Sequence, residues 1–150
     1  MRKILYVDMD GVLADLGSAI DRLPHDVAAA YQGRPDEIPG IFSGLEPMPL
    51  AIDSFNTLAD LFDTYILSTS PWENPSAWSD KLLWVKRHLG VAAYKRLILT
   101  HHKDLNRGDF LVDDRKKSGA DRFVGEHIMF GSDRFRDWPT VVEYLEPKAV

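Results

Sequence analysis
The chain has 150 residues, 18 Lys and Arg against 23 Asp and Glu for a formal net charge of −5, 45% apolar residues and no cysteine. That length suits one ordinary domain, the absence of cysteine excludes a disulfide framework or thiolate metal site, and an acidic balance without a dense basic block argues against a nucleic-acid polymer as partner. The first apolar run is broken by acids within a few positions, too soon for a signal segment or a membrane span, so a soluble, cytoplasmic protein is expected.

Residues 4–7 (ILYV) form a β-rich apolar run that stops at Asp8, the pattern of a buried strand feeding a functional loop. The rhythm then fails across residues 23–49, where Pro24, Pro35, Pro39, Pro47 and Pro49 lie among Gly33, Gly40 and Gly44. A small insertion is expected there, helical over 27–31 and loop over 40–49. Ile52, Phe55, Leu58, Ala59 and Phe62 share one face of a helix over 50–62. A second strand, 65–67, runs into Ser68-Thr69-Ser70. Asn74-Pro75 opens another helix, with Asn as cap, Pro in the first turn, a stripe of Trp78, Leu82, Val85 and Leu89, and Gly90 to end it. Residues 97–99 and 110–112 repeat the strand design and open into Thr100-His101-His102 and Asp113-Asp114; 127–130 is a fifth strand, and a short helix near Pro139 carries Val142 and Leu145.

Strands alternating with helices imply an α/β fold with a parallel sheet covered on both faces. Ligands in such sheets gather at the carboxyl ends of the strands, where Asp8, Thr69, Thr100 and Asp113 should converge. A single domain over 1–150, with a cap insertion at about 16–49, accounts for the whole chain.

Asp8-Met9-Asp10-Gly11 places two carboxylates on the same side of an extended segment, followed by a glycine that permits a sharp turn. One carboxylate can attack phosphorus while sharing a metal; the other, once protonated, can donate to a leaving oxygen and later activate water. An isolated DxD is more often a turn-forming cap, but one placed directly after a hydrophobic N-terminal strand is much less common. Asp113 and Asp114 show no obvious buried cation partner and repel unless a hard cation is present; taken alone the pair suits Mg²⁺ and a solvated turn with Arg115, Lys116 and Lys117 about equally, and Asp8 on a neighbouring strand tips the balance to Mg²⁺. Thr69 and Ser70 offer hydroxyls and backbone N–H groups where a phosphoryl group would sit, although plain turn chemistry also uses such residues. Lys81 lies about two turns into its helix, beside the apolar stripe, where a cation could reach that phosphate, although a solvated face is the ordinary place for a helix lysine. Trp72 is a candidate for stacking on a base, with packing as its ordinary role, and His101-His102 reads as loop because adjacent side chains diverge.

Asp8-x-Asp10, Thr69, Lys81 and Asp113-Asp114, in this order, resemble the haloacid dehalogenase superfamily of aspartyl-phosphate hydrolases. DMDGVLAD over 8–15, Thr69-Ser70-Pro71, the run from Lys81 to Gly90, Leu99-Thr100 and Val112-Asp113-Asp114-Arg115 resemble its 5′(3′)-deoxyribonucleotidase family, over roughly residues 3–16 and 64–145. The resemblance implies a Rossmann-like three-layer fold with a small helical or loop cap inserted after the first strand. It also implies Asp8 as nucleophile, Asp10 as general acid and base, Thr69 on the phosphoryl oxygens, and Lys81 stabilising their charge. Mg²⁺ would be held by Asp8, the backbone carbonyl of Asp10 and a carboxylate of the Asp113-Asp114 pair. The implied substrate is a (deoxy)nucleoside monophosphate, and a homodimer is one assembly open to the chain. The insertion is shorter than the family's usual cap, so the base and sugar pocket carries over less directly than the phosphate chemistry; Tyr31, Phe42 and Trp72 are its aromatic candidates. The competing readings are a phosphatase for a sugar phosphate or other small metabolite, a transferase to another alcohol, and a catalytically silent nucleotide- or metal-binding module.

Overall fold
Every apolar run named above forms a strand. The computed structural model describes residues 1–150, and its strands β1 (Ile4–Val7), β2 (Asp63–Ser68), β3 (Leu97–Leu99), β4 (Phe110–Asp113) and β5 (Glu126–Met129) make one all-parallel sheet in the order β3-β2-β1-β4-β5. Five helices accompany them: α1 (Leu16–Asp21), α2 (His25–Ala30), α3 (Ala51–Leu61), α4 (Pro75–His88) and α5 (Trp138–Leu145). This is the α/β architecture that the alternation implied, Rossmann-like as the resemblance implied.

Side chains alternate along each strand between two cores. Leu5, Val7, Ile66, Phe110, Val112 and Ile128 pack with Phe55 and Leu58 of α3, Trp84 and Val85 of α4, and Trp138, Val141 and Leu145 of α5. Tyr6, Leu67 and Leu111 point the other way, onto Ala120 and Phe123. The crossovers leading to β4 and β5 carry only 3-10 turns, Lys103–Leu105 and Ala120–Arg122, so the layer on that second face is thin.

The burial of α4 differs from its expected stripe. Ala77, Lys81, Trp84 and Val85 are buried, while Leu82 and Leu83 face solvent. Two polar anchors account for the rotation: the Trp84 indole Nε1 donates to the Leu45 carbonyl at 2.8 Å, and Lys81 reaches inward to the strand ends. A pattern that counts only apolar residues cannot register either anchor. Asn74 does occupy the N-cap position of α4, yet its side chain makes no cap hydrogen bond. Gly90 follows the helix with a positive φ of 54°, as a terminating glycine should.

Residues 16–49 hold α1, α2, a 3-10 turn at Pro35–Glu37 and further turns. Helix α1 has an N-cap in Asp15, whose Oδ1 accepts from Ser18 N at 3.0 Å. No helix of the chain is long and apolar enough to cross a membrane.

Candidate active site
Val7 lies in register with Ile66 of β2 and Val112 of β4, so the chain leaves all three central strands at one edge of the sheet. The chain runs from β1 outward through β2 to β3, then returns to the other side of β1 as β4. The edge between β1 and β4 is therefore the switch point at which α/β sheets open a crevice, and Asp8 and Asp113 sit there.

The turn after β1 is built around Met9. Its side chain is fully buried, and its carbonyl accepts from the N–H groups of Val12, Leu13 and Ala14 at 3.2, 2.8 and 2.8 Å. Anchoring Met9 into the core leaves Asp8 and Asp10 on the opposite side, facing the crevice. Gly11 adopts a φ of +78°, and a Cβ there would stand 2.4 Å from Asp114 Oδ2, so a side chain is excluded by both backbone and space.

Asp8, Asp113 and Asp114 each bring a carboxylate oxygen within 4.8 Å of the others. Contrary to the expectation from sequence, the pair does have a buried cation partner. Lys103, 4% exposed, donates Nζ to Asp113 Oδ2 at 2.6 Å and Asp8 Oδ1 at 3.0 Å. Burial pushes its ammonium down, and the charges of Asp8 and Asp113 outweigh that effect and hold it raised. Lys103 was missed in the sequence, although it follows the third strand by the same logic that singled out Thr100. The other oxygen of Asp113 accepts from Arg115 N at 3.0 Å.

One ammonium does not balance three carboxylates. Burial first and the charge of Asp8 second push Asp113 up to about 6 and Asp114 up to about 7. Asp114 Oδ1 is buried without a hydrogen-bond partner. A crowded set of hard oxygen donors with one orphaned oxygen fits a hard divalent cation such as Mg²⁺.

Lys81 is fully buried and reaches the site from α4, but not as a free cation. Its Nζ donates to Asp10 Oδ2 at 2.8 Å, Ser68 Oγ at 3.0 Å and the Thr69 carbonyl at 2.6 Å, which uses all three of its donors. The Asp10 carboxyl is raised by burial above the usual range; Lys81 pulls it down and Asp8 adds to the rise. Thr69 Oγ1 donates to the Thr100 carbonyl at 2.8 Å, joining the ends of β2 and β3. Ser70 is buried, and its hydroxyl has no partner.

These residues floor a cleft of about 510 Å³. Asp8, Asp10, Thr69, Lys103, Asp113 and Asp114 line one end; Leu16, Ile20, Gly33, Pro35, Asp36 and Phe42 of the insertion form a wall, with Arg115, Lys117 and Ser118 at the rim. Lys81 is not in the lining. Trp72 is outside it as well, 75% exposed, with its ring 6.1 Å from that of His101. Tyr31 sits away from the cleft beneath Arg34, whereas Phe42 contributes to the wall.

Residues 24–141 match the family model described as 5′ nucleotidase, deoxy (Pyrimidine), cytosolic type C protein. Over 144 residues the chain is 57% identical to a Vibrio phage KVP40 protein provisionally named a 5′(3′)-deoxyribonucleotidase, covering 96% of this chain and 85% of that one. A Bordetella bronchiseptica protein with the same provisional name is 35% identical over 160 residues, 89% of this chain and 86% of its own. The human 5′(3′)-deoxyribonucleotidase, cytosolic type, is 34% identical over 157 residues, 84% of this chain and 78% of the human one.

Proposed function
Because the chain belongs to the family of deoxy-specific, cytosolic type C 5′-nucleotidases, which are phosphoric monoester hydrolases, we propose that it releases phosphate from deoxynucleoside monophosphates through a covalent intermediate on Asp8. The observation that carries this reading is the meeting of Asp8, Asp10, Asp113, Asp114 and Lys103 at the β1–β4 edge, beneath a wall large enough for a nucleoside.

Asp114 has a free buried oxygen, whereas both oxygens of Asp113 are engaged by Lys103 and Arg115 N. Asp8 and Asp114 are thus the carboxylates that would hold Mg²⁺, joined by the backbone carbonyl of Asp10 that the family resemblance implies, with Asp113 orienting Lys103. When bound, the ion offsets charge on the phosphoryl oxygens and on Asp8.

A carboxylate oxygen of Asp8 attacks phosphorus, and the bond from phosphorus to the ester oxygen breaks. Burial favours the protonated form of Asp10. Its proton passes to the leaving alkoxide. Asp10, now ionised beside Lys81, takes a proton from water; the water oxygen attacks the aspartyl phosphate, freeing inorganic phosphate and restoring Asp8. Lys103 has two of its three N–H donors committed and one left for a phosphoryl oxygen. Thr69 spends its hydroxyl proton on Thr100 and the Ser70 side chain lies outside the cleft lining, so the backbone N–H groups of the 69–70 turn are the remaining donors there. Residues 16–49 serve as a short cap whose apolar Leu16, Ile20, Pro35 and Phe42 meet the sugar and base.

The test is phosphate release from deoxy- and ribonucleoside 5′- and 3′-monophosphates and sugar phosphates, with and without Mg²⁺, using Asp8→Asn as the blank. Selective Mg²⁺-dependent release from deoxynucleotides is expected. Release from sugar phosphates alone would keep the chemistry and overturn the substrate; binding of nucleotides without release would mark a silent module.

A further inference from the structure
From Leu16 to Phe42 the chain passes through 25 consecutive residues, 17–41, none of which is buried. Neither α2 nor the Pro35–Glu37 turn has a residue in a core. Yet Gly33, Pro35 and Asp36 form part of the cleft wall. Ala19, Ile20 and Ile41 pack against the core at the two ends of this stretch, but no side chain of 21–40 does, so the hydrophobic effect anchors only the ends and polar contacts must place the middle.

The contacts converge on Asn74. Its side chain is buried, 1% exposed, and Nδ2 donates to the carbonyls of Asp36 at 2.9 Å and Ile38 at 3.0 Å. Oδ1 accepts from Ser76 Oγ at 2.6 Å, and Ser76 Oγ in turn accepts from Gly40 N at 3.1 Å. Asn74 thus makes no cap bond to the helix it precedes and spends both Nδ2 donors on a segment 36 and 38 residues away.

We propose that Asn74 is a positioning residue: through its carboxamide, α4 holds the 33–40 segment in place as the nucleoside-side wall of the cleft. The proposal rests on the nucleotidase reading for its substrate but not for its geometry. Only a primary amide supplies two donors to two carbonyls and an acceptor to a hydroxyl from one planar group. Aspartate, as good an N-cap as asparagine, would instead face the two carbonyls with a carboxylate. When the wall is not held, only the fraction of molecules with it in place binds the nucleoside well, and the apparent affinity falls by that fraction.

Asn74→Asp separates the latch from a helix cap. Two measurements on the full chain decide it: hydrogen exchange by mass spectrometry, and steady-state kinetics with a deoxynucleoside monophosphate against phenyl phosphate, which is too small to need the wall. Exchange across 33–41 is expected to accelerate while β1 and α4 stay protected. The KM for the nucleotide is expected to rise about tenfold with kcat nearly unchanged, and kcat/KM for phenyl phosphate to stay within about twofold. Ser76→Ala, which removes the second link and little volume, should move both readouts the same way to a smaller extent, and it serves if the aspartate variant does not fold. Unchanged exchange in the folded variant, or equal losses on both substrates, would overturn the proposal. If the wild-type protein cleaves phenyl phosphate but no nucleotide, the substrate reading fails and exchange alone decides the latch.

Discussion

Two buried lysines stand within reach of the carboxylates, and their surroundings give them different work. Lys103 borders the cleft with a donor to spare, whereas Lys81 has all three donors occupied and touches Asp10. Lys103→Met should lower kcat/KM by about 10²-fold or more through lost charge stabilisation at the phosphoryl group. Lys81→Met should act through Asp10. Burial already raises that carboxyl and Lys81 opposes the rise, so without the ammonium Asp10 keeps its proton to higher pH. The alkaline limb of log kcat/KM that reports the acid form should then shift upward, and an unmoved limb would show that Lys81 does not tune Asp10. At this scale the acids were legible because each ends an apolar run, which is a local feature. The division of labour between the lysines was not, because it depends on how α4 is rotated and where the loop after β3 returns.

That rotation is set at the scale of elements. Trp84→Phe keeps the apolar bulk but leaves the Leu45 carbonyl without its buried donor. It should cost about 1–3 kcal/mol in urea unfolding, while Leu82→Gln, on the exposed side, should stay within about 0.5 kcal/mol. Equal costs would mean that Leu82 faces inward with Val85 and Leu89 after all. Leu50 precedes α3 with a φ of +62° and an exposed side chain. Asparagine tolerates that left-handed conformation better than leucine, so Leu50→Asn should stabilise the protein by about 1 kcal/mol. Helix existence was readable from periodicity and from Pro and Gly punctuation, as α3, α4 and α5 show. The rotation of α4 was not, because its anchors are an indole N–H and a buried lysine, which a count of apolar spacing scores as noise. Helix α1 escaped for a related reason: its signal is a capping aspartate next to a motif whose acids already had a catalytic explanation.

For the whole molecule, the acid cluster links stability, pH and metal. Asp113 and Asp114 are raised to about 6 and about 7, so the folded chain holds protons that the unfolded chain releases nearer the ordinary carboxylate range. Their contribution to stability is full below that range and is lost as pH rises toward 7. A cation in the cluster removes this penalty and competes with the protons. Mg²⁺ should therefore raise Tm little at pH 5 and clearly at pH 8, and an equal shift at both would place the ion elsewhere. The parallel sheet and its reactive edge could be read from the sequence because strand ends and functional residues coincide in it. The 33–40 part of the cleft wall could not, since no side chain of 21–40 packs into either core and the stretch carries no periodic signal; its position depends on the polar links from Asn74 and Ser76. The central claim is that Asp8 carries the phosphoryl group, and the most direct measurement is mass spectrometry of peptides from acid-quenched Asp10→Asn after reaction with an aryl phosphate. Such a leaving group needs little protonation, so the first step should proceed while the second, deprived of its base, stalls. A phosphate on the peptide bearing Asp8 is the expected result; a phosphate on another residue, or none while aryl phosphate is still being cleaved, would contradict the account.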